Sequence, residues 1–207
     1  MSLYALPSIL KRIDLRQVFP CDQPLEVELG SGDGSFLAEC ASRHPSRNFL
    51  GTERLLGRAR KLDRKSRKAG LTNLAVIQIE SSYFLEFLLP HNCAEAIHVY
   101  FPDPWPKRRH WRHRLINERF PQLAAASLRP GGCVYLRTDN ADYFSQIRQV
   151  FAAARMFAEI ETPAELARIT TDFEREFNAR GIPTLRYACR KRTEPLAFPL
   201  ALPPGSA

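Results

Sequence analysis

The chain reads as one α/β unit, a parallel sheet covered by helices on both faces. Three observations predict this. Short apolar runs rich in β-branched residues alternate with longer amphipathic stretches. The first apolar run ends directly in closely spaced glycines, as a strand does when it turns tightly into a helix. The 207 residues suffice for one hydrophobic core, and neither a repeat nor a domain boundary interrupts them.

Taken in order, Leu25–Leu29 is the first strand, and it enters Gly30, Gly32 and Gly34. Ser35–Arg43 follows as a helix and Asn48–Thr52 as a second strand. Leu55–Lys68 is helical and stops at Gly70, a residue that ends helices because it accepts a left-handed backbone. Leu74–Ile79 and Ala96–Phe101 are strand-like. Arg114–Leu128 reads as a helix kinked at Pro121 and closed by Pro130-Gly131-Gly132. Cys133–Thr138 is the next strand and Ala141–Ala154 the next helix; Phe157–Glu161 and Thr184–Arg190 complete the strands. These spans divide the chain into an N-terminal segment (1–24), a folded domain (25–192) and a tail (193–207). Pro195, Pro199, Pro203 and Pro204 argue that the tail packs loosely or not at all.

With 44% apolar and 25% charged residues, the composition is globular rather than disordered. No stretch approaches the roughly 20 apolar residues of a membrane helix. Met1–Pro20 lacks both an apolar h-region and a small-residue cleavage site. A cytoplasmic protein with no membrane partner is expected. The five cysteines (Cys21, Cys40, Cys93, Cys133, Cys189) are scattered. Their odd number argues against a disulfide framework, and the lack of paired thiolates against structural zinc. Free, mostly buried thiols and no metal are expected. The net charge of +8 points to a polyanionic partner.

The glycine turn carries the first chemical signal. Glu28 stands two residues before Gly30, and Glu53 at the end of the second strand, where a carboxylate accepts both hydroxyls of a ribose. A dinucleotide fingerprint needs its third glycine one place after Gly34, and its turn welcomes a pyrophosphate. Here Glu28 and Asp33 make the turn acidic, which suits a ligand bearing an ammonium, a sulfonium and a ribose. S-adenosylmethionine has all three. The bland alternative is a structural turn with solvated carboxylates.

The second signal follows the fourth strand: Phe101-Pro102-Asp103-Pro104-Trp105-Pro106-Lys107. Three prolines restrict the backbone around one carboxylate, and stiffness serves a group that must not wander. Asp103 is the candidate catalytic residue. Trp105 either stacks on a base or covers the core, with the core role expected. Lys107–Arg114 then brings five Lys or Arg, two His and Trp111, a pattern suited to phosphate contact and base stacking. The helical stretch Arg54–Lys68 is also strongly basic, with Asp63 its only acid, either extending that footprint or simply solvated.

The proline-bracketed motif resembles the signature of bacterial tRNA (guanine-N7-)-methyltransferases. Supporting pieces are Glu28-Leu29-Gly30-Ser31-Gly32, Leu128-Arg129-Pro130-Gly131-Gly132, Thr138-Asp139-Asn140 and Thr171-Asp172-Phe173-Glu174 with Phe177 and Gly181, so the resemblance covers about Leu25 to Arg192. It implies a Rossmann-like class I S-adenosylmethionine-dependent methyltransferase fold, mostly parallel with a final antiparallel strand. Glu28, Gly30, Gly32, Glu53, Glu80 and Asp103 fall on cofactor-binding positions. Lys107, Arg109, Arg112, Arg114, Asp139, Thr171 and Glu174 fall on substrate-binding positions or in the region that meets RNA. The chain departs from the family with Asp33 where a basic residue is common, Glu80 where Asp is common, and Ser81-Ser82-Tyr83 in place of a stretch containing Ala.

The implied reaction is methyl transfer to N7 of a tRNA guanosine in the variable loop, by a monomer or homodimer, with no DNA partner. N7 has a free lone pair and no proton to lose, so in-line attack needs no general base and rests on positioning and electrostatics. Two competing readings stay open: an amino methyltransferase on another RNA base, and a non-catalytic RNA-binding protein.

Overall fold

The structure is a computed structural model describing residues 3–193. The proline-rich tail expected from position 193 lies outside the described residues, apart from Thr193 itself.

Seven strands form one sheet: β1 (Leu25–Leu29), β2 (Asn48–Glu53), β3 (Leu74–Gln78), β4 (Ala94–Tyr100), β5 (Leu128–Thr138), β6 (Phe157–Ile160) and β7 (Leu185–Lys191). Their order is β3-β2-β1-β4-β5-β7-β6. β1, β2, β3, β4 and β5 pair in parallel, whereas β7 runs antiparallel between β5 and β6. This is the expected parallel sheet with a reversed final strand. Successive strand residues face opposite sides. Leu50, Ile77 and Val99 thus enter one core, and their neighbours Phe49, Val76 and Tyr100 the other.

The helices in chain order are α1 (Leu15–Val18), α2 (Ser35–Arg43), α3 (Leu56–Lys68), α4 (Ser81–Tyr83), α5 (Phe120–Ser127), α6 (Ala141–Ala153), α7 (Ala164–Arg168) and α8 (Asp172–Ala179). α2 and α3 cover the face holding Phe36, Phe49 and Leu62; α5 and α6 cover the face holding Ile97, Phe120 and Ile147. The predicted helix over Arg114–Leu128 is shorter than expected. Pro121 lies in the first turn of α5, where its missing N–H costs nothing, so it starts the helix rather than kinking it. Leu128 already belongs to β5, and the pairing of β4 with β5 shifts register near Ala94 and Ala96.

The N-terminal segment packs on the domain. Leu3 bridges Val76 in parallel, and the Tyr4 N–H donates to the Val76 carbonyl at 2.8 Å, which covers part of the β3 edge. Ile13 and Phe19 are buried in the core. The five cysteines are unpaired; Cys40, Cys133 and Cys189 are buried. Among the described residues no helix is long and apolar enough to cross a membrane.

The sheet order sets the site. β1 lies between β2 and β4, so the chain leaves β1 toward one side and returns on the other. A crevice at the carboxyl ends of these strands follows from that reversal.

Candidate active site

The glycine turn closes over the end of β1. Gly30 (φ 84°) and Gly32 (φ 56°) occupy the left-handed region that residues with a Cβ avoid. Gly34, also left-handed, begins α2, and a Cβ there would lie 2.2 Å from Leu62 of α3. The turn, α2 and α3 are thereby packed as one piece.

Glu53 ends β2 and is nearly buried. The Gly32 N–H donates to its Oε2 at 3.0 Å and the Leu55 N–H to its Oε1 at 2.7 Å. Each oxygen keeps lone-pair capacity for another donor, and the carboxylate cannot swing away. Glu28 is 3% exposed, and its Oε2 has no hydrogen-bond partner among the described residues. Burial pushes its carboxyl up to about 8 against the pull of nearby Arg137, with the negative charges of Asp33 and Glu53 adding to the rise. An orphaned buried carboxylate oxygen fits a cationic donor. Asp33 adds less net negative charge than its place in the turn suggests, because it is paired. Burial raises its pKa, but hydrogen bonds from Lys65 and Ser35 outweigh that and hold it low, and Lys65 pairs with the charge.

Glu80 follows β3 and caps α4, accepting from the N–H groups of Ser82 at 2.9 Å and Tyr83 at 2.8 Å. Gly30, Glu53, Glu80 and Asp103 line one cleft of about 230 Å³ with Arg58 and Trp105. Trp105 is thus half-buried in the cleft wall and outside the core, contrary to expectation. Asp139 lies one strand further on, half-buried after β5.

The loop carrying Asp103 is held at both ends. Phe101 (φ 52°) and Trp105 (φ 45°) are left-handed non-glycine residues, each costing on the order of 1–3 kcal/mol and held only because the surroundings impose it. Arg114 supplies part of that constraint from inside the protein, a placement that the basic run in the sequence does not suggest. Arg114 is 1% exposed and presents no surface to an RNA. Its Nε donates to the Pro104 carbonyl at 2.7 Å. Its other nitrogens donate to Gln146 Oε1 at 2.7 Å and Asp142 Oδ2 at 3.0 Å, both on α6. The guanidinium lies over the rings of Trp111 (4.4 Å) and Tyr143 (4.7 Å). Lys107, Arg109 and Arg112 are exposed on the short 3₁₀ segment Arg108–His113 and its approach.

Thr171 and Glu174 are likewise internal. The Thr171 hydroxyl oxygen accepts from the Glu174 N–H at 3.0 Å and caps α8. The Glu174 carboxylate is fully buried between Arg137 (2.8 Å) and Arg186. Arg137 also donates to the carbonyls of Leu166 and Ile169 and lies over the Tyr100 ring at 4.2 Å. It therefore ties α7 and α8 to the sheet behind the cleft. Sequence reasoning passed over Arg137, although a lone arginine in the apolar run Val134-Tyr135-Leu136 was a visible signal of a buried ion pair.

Comparison with known proteins agrees with this geometry. A family described as "Putative methyltransferase" matches residues 22–186. The chain is 36% identical over 165 residues to the tRNA (guanine-N(7)-)-methyltransferase of Nitrosomonas eutropha, covering 79% of this chain and 72% of the relative. It is 33% identical over 187 residues to that of Alkalilimnicola ehrlichii, covering 88% and 79%. With the enzyme of Nitrosospira multiformis the match is 37% identical over 152 residues, 73% of this chain and 66% of that one. The chain spans from 58% to 79% of the length of these and similar curated relatives. Among solved structures, the 16S rRNA methyltransferase KamB superposes with a TM-score of 0.62 at 18% identity, over 86% of this chain and 92% of that one. Precorrin-6y C5,15-methyltransferase from Geobacter metallireducens does so with a TM-score of 0.57 at 12% identity, over 82% and 81%. These likenesses establish the class I methyltransferase fold.

Proposed function

The chain belongs to the tRNA (guanine-N(7)-)-methyltransferase family, and on that premise we propose that it moves a methyl group from S-adenosylmethionine to N7 of a guanosine in the variable loop of tRNA. The observation that carries this reading is the convergence of Glu53, Glu80 and Asp103 with the glycine turn on one cleft, beside the exposed cations Lys107, Arg109 and Arg112.

The residues present fit the cofactor. Glu28, Gly30, Gly32, Glu53 and Glu80 would hold it, Glu53 taking ribose hydroxyls on its free lone pairs and Glu28 compensating a positive amine. S-adenosylmethionine, when bound, supplies an electrophilic methyl on sulfur. The chain's part is positioning and electrostatics. Asp103 sits at the cleft rim on a loop that cannot wander, so its charge is fixed before substrate arrives. It favours the positive charge that appears on the purine, and it accepts from the guanine N1–H and amine. Adenine lacks that N1–H; facing the wrong base with an unpaired carboxylate costs about 1–3 kcal/mol. Lys107, Arg109, Arg112 and Asp139 contact the RNA, while Thr171 and Glu174 act from inside by fixing α8.

The direct test is methyl transfer from labelled S-adenosylmethionine to an unmodified tRNA transcript, followed by nucleoside analysis. Label is expected in 7-methylguanosine and is expected to vanish when the variable-loop guanosine is replaced. Label in a different nucleoside would overturn the proposed base.

A further inference from the structure

α3 carries a density of positive charge that neither the fold nor the cleft explains. From Arg54 to Lys68 the chain has eight Lys or Arg and one acid, Asp63. Asp63 is buried, paired with Arg67 and accepting from the Leu3 N–H at 2.9 Å. Lys65 is paired with Asp33. The remaining six, Arg54, Arg58, Arg60, Lys61, Arg64 and Lys68, are exposed, and among the described residues none forms an ion pair. The buried positions Ala59, Leu62, Asp63 and Ser66 fix the inward face, which leaves Arg58, Arg60, Lys61, Arg64 and Lys68 on the outward half of the helix, with Arg54 just before its first turn. Five unpaired like charges on one helix repel one another and lower its stability. A solvated face needs no such concentration.

The placement gives the concentration a direction. Arg58, Lys61, Lys65 and Lys68 follow spacings of three and four, so they stack along one stripe of the helix with neighbouring Cβ atoms about 5–6 Å apart, and Arg54 stands just before it. That stripe starts at the cleft, which Arg54 and Arg58 line. Where it starts, the Arg58 guanidinium lies over the ring of Phe173, an exposed aromatic on α8. In the sheet, α3 springs from the end of β2 and the Lys107–Arg112 stretch follows β4, on either side of β1. The cleft is therefore flanked by two cationic arms rather than one.

We propose that α3 is a second RNA-docking surface, holding the phosphate backbone of the substrate on the side of the cleft opposite the Lys107–Arg112 stretch. This rests on the reading of the chain as an RNA methyltransferase. A strand gripped on both sides of the cleft has its target base fixed over Asp103, and a grip on one side alone leaves the base free to pivot.

The test uses the full chain and an unmodified tRNA transcript with a variable-loop guanosine. The triple variant Lys61→Ala/Arg64→Ala/Lys68→Ala removes three exposed charges away from the cleft. A control triple, Arg43→Ala/Arg129→Ala/Arg190→Ala, removes three exposed cations at the opposite end of the sheet. The α3 variant is expected to flatten the salt dependence of tRNA binding by about 0.7–0.9 in log–log slope for each phosphate that the helix no longer neutralises. Its KM for tRNA should rise with kcat and cofactor affinity unchanged, while the control keeps the parent slope. An unchanged slope in the α3 variant overturns the proposal, and so does an equal fall in both variants, which would make the effect one of net charge. Failure of the parent itself to bind or methylate tRNA would instead strike the underlying reading.

Discussion

At the scale of single residues, the candidate site separates groups that face the cleft from groups that hold them. Asp103 is exposed and has no hydrogen-bond or ion-pair partner among the described residues, whereas Glu53 and Glu80 are already engaged by backbone N–H groups. A carboxylate with no protein partner at the rim is free to meet a substrate. Asp103→Ala removes that charge without leaving a buried hole. The expected outcome is a loss of about 100-fold to 1,000-fold in kcat, in the range of a preorganised electrostatic group, with tRNA affinity nearly unchanged. Single-turnover transfer alongside filter binding checks both numbers. Turnover within a few-fold of the parent would take Asp103 out of the reaction.

At the scale of elements, the Asp103 loop is set by Arg114, which bonds Pro104 on one side and Gln146 and Asp142 of α6 on the other. Arg114 is a positioning residue. Arg114→Lys keeps the charge but loses the planar fork that makes these bonds together. We expect kcat to fall about tenfold to a hundredfold, as misplacement by an ångström does, with the KM for tRNA little moved. A variant that lost tRNA affinity at full kcat would place Arg114 against the RNA after all. This residue also marks where the sequence was readable and where it was not. The strands were legible because runs such as Leu74-Ala75-Val76-Ile77 and Ile97-His98-Val99-Tyr100 are buried on both faces and so are apolar nearly throughout. The glycine turn and the proline-bracketed loop were legible because rare backbone geometry demands particular residues. The inside of the basic stretch was not. Arg114 is one more cation in a run that reads as solvated, and only the fold brings Trp111, Tyr143 and Asp142 around it. Thr171 and Glu174 were found by motif as substrate-binding positions, but their burial was not legible, because motif identity does not say which way a side chain points. The short elements α1, α7 and α8 escaped notice, since a helix of one or two turns shows too little periodicity.

At the scale of the whole molecule, the buried carboxylate of Glu28 couples folding, pH and cofactor. Burial, opposed by Arg137 and reinforced by Asp33 and Glu53, raises its pKa from 4.5 to about 8. The folded chain therefore keeps a proton on Glu28 that the unfolded chain releases near pH 4.5. Between those values the folded state binds more protons, so stability falls as pH rises, by at most about 1.4 kcal/mol per pH unit from this residue, and levels off above about pH 8. Glu26 and Asp33 act in the opposite sense. In both, burial raises the pKa, but hydrogen bonds from His98 to Glu26 and from Lys65 and Ser35 to Asp33 outweigh it and hold the groups low. Their contribution is present above their unfolded values and lost in acid. The cofactor-free protein should accordingly be most stable near about pH 5 and decline toward about pH 8. Glu28→Gln removes the titrating group while keeping its shape, so its denaturant-unfolding profile should be flatter over that interval than the parent's, with the gap widest at the alkaline end. A positive amine placed against Glu28 favours the ionised form. S-adenosylmethionine binding near about pH 6.5, between the two values, should then release a proton. The release is seen as a binding heat that scales with the buffer's ionisation enthalpy in the parent and not in Glu28→Gln. Parallel unfolding profiles for the two proteins would show that Glu28 is already ionised in the fold, and the proton release would have to be sought elsewhere in the cleft.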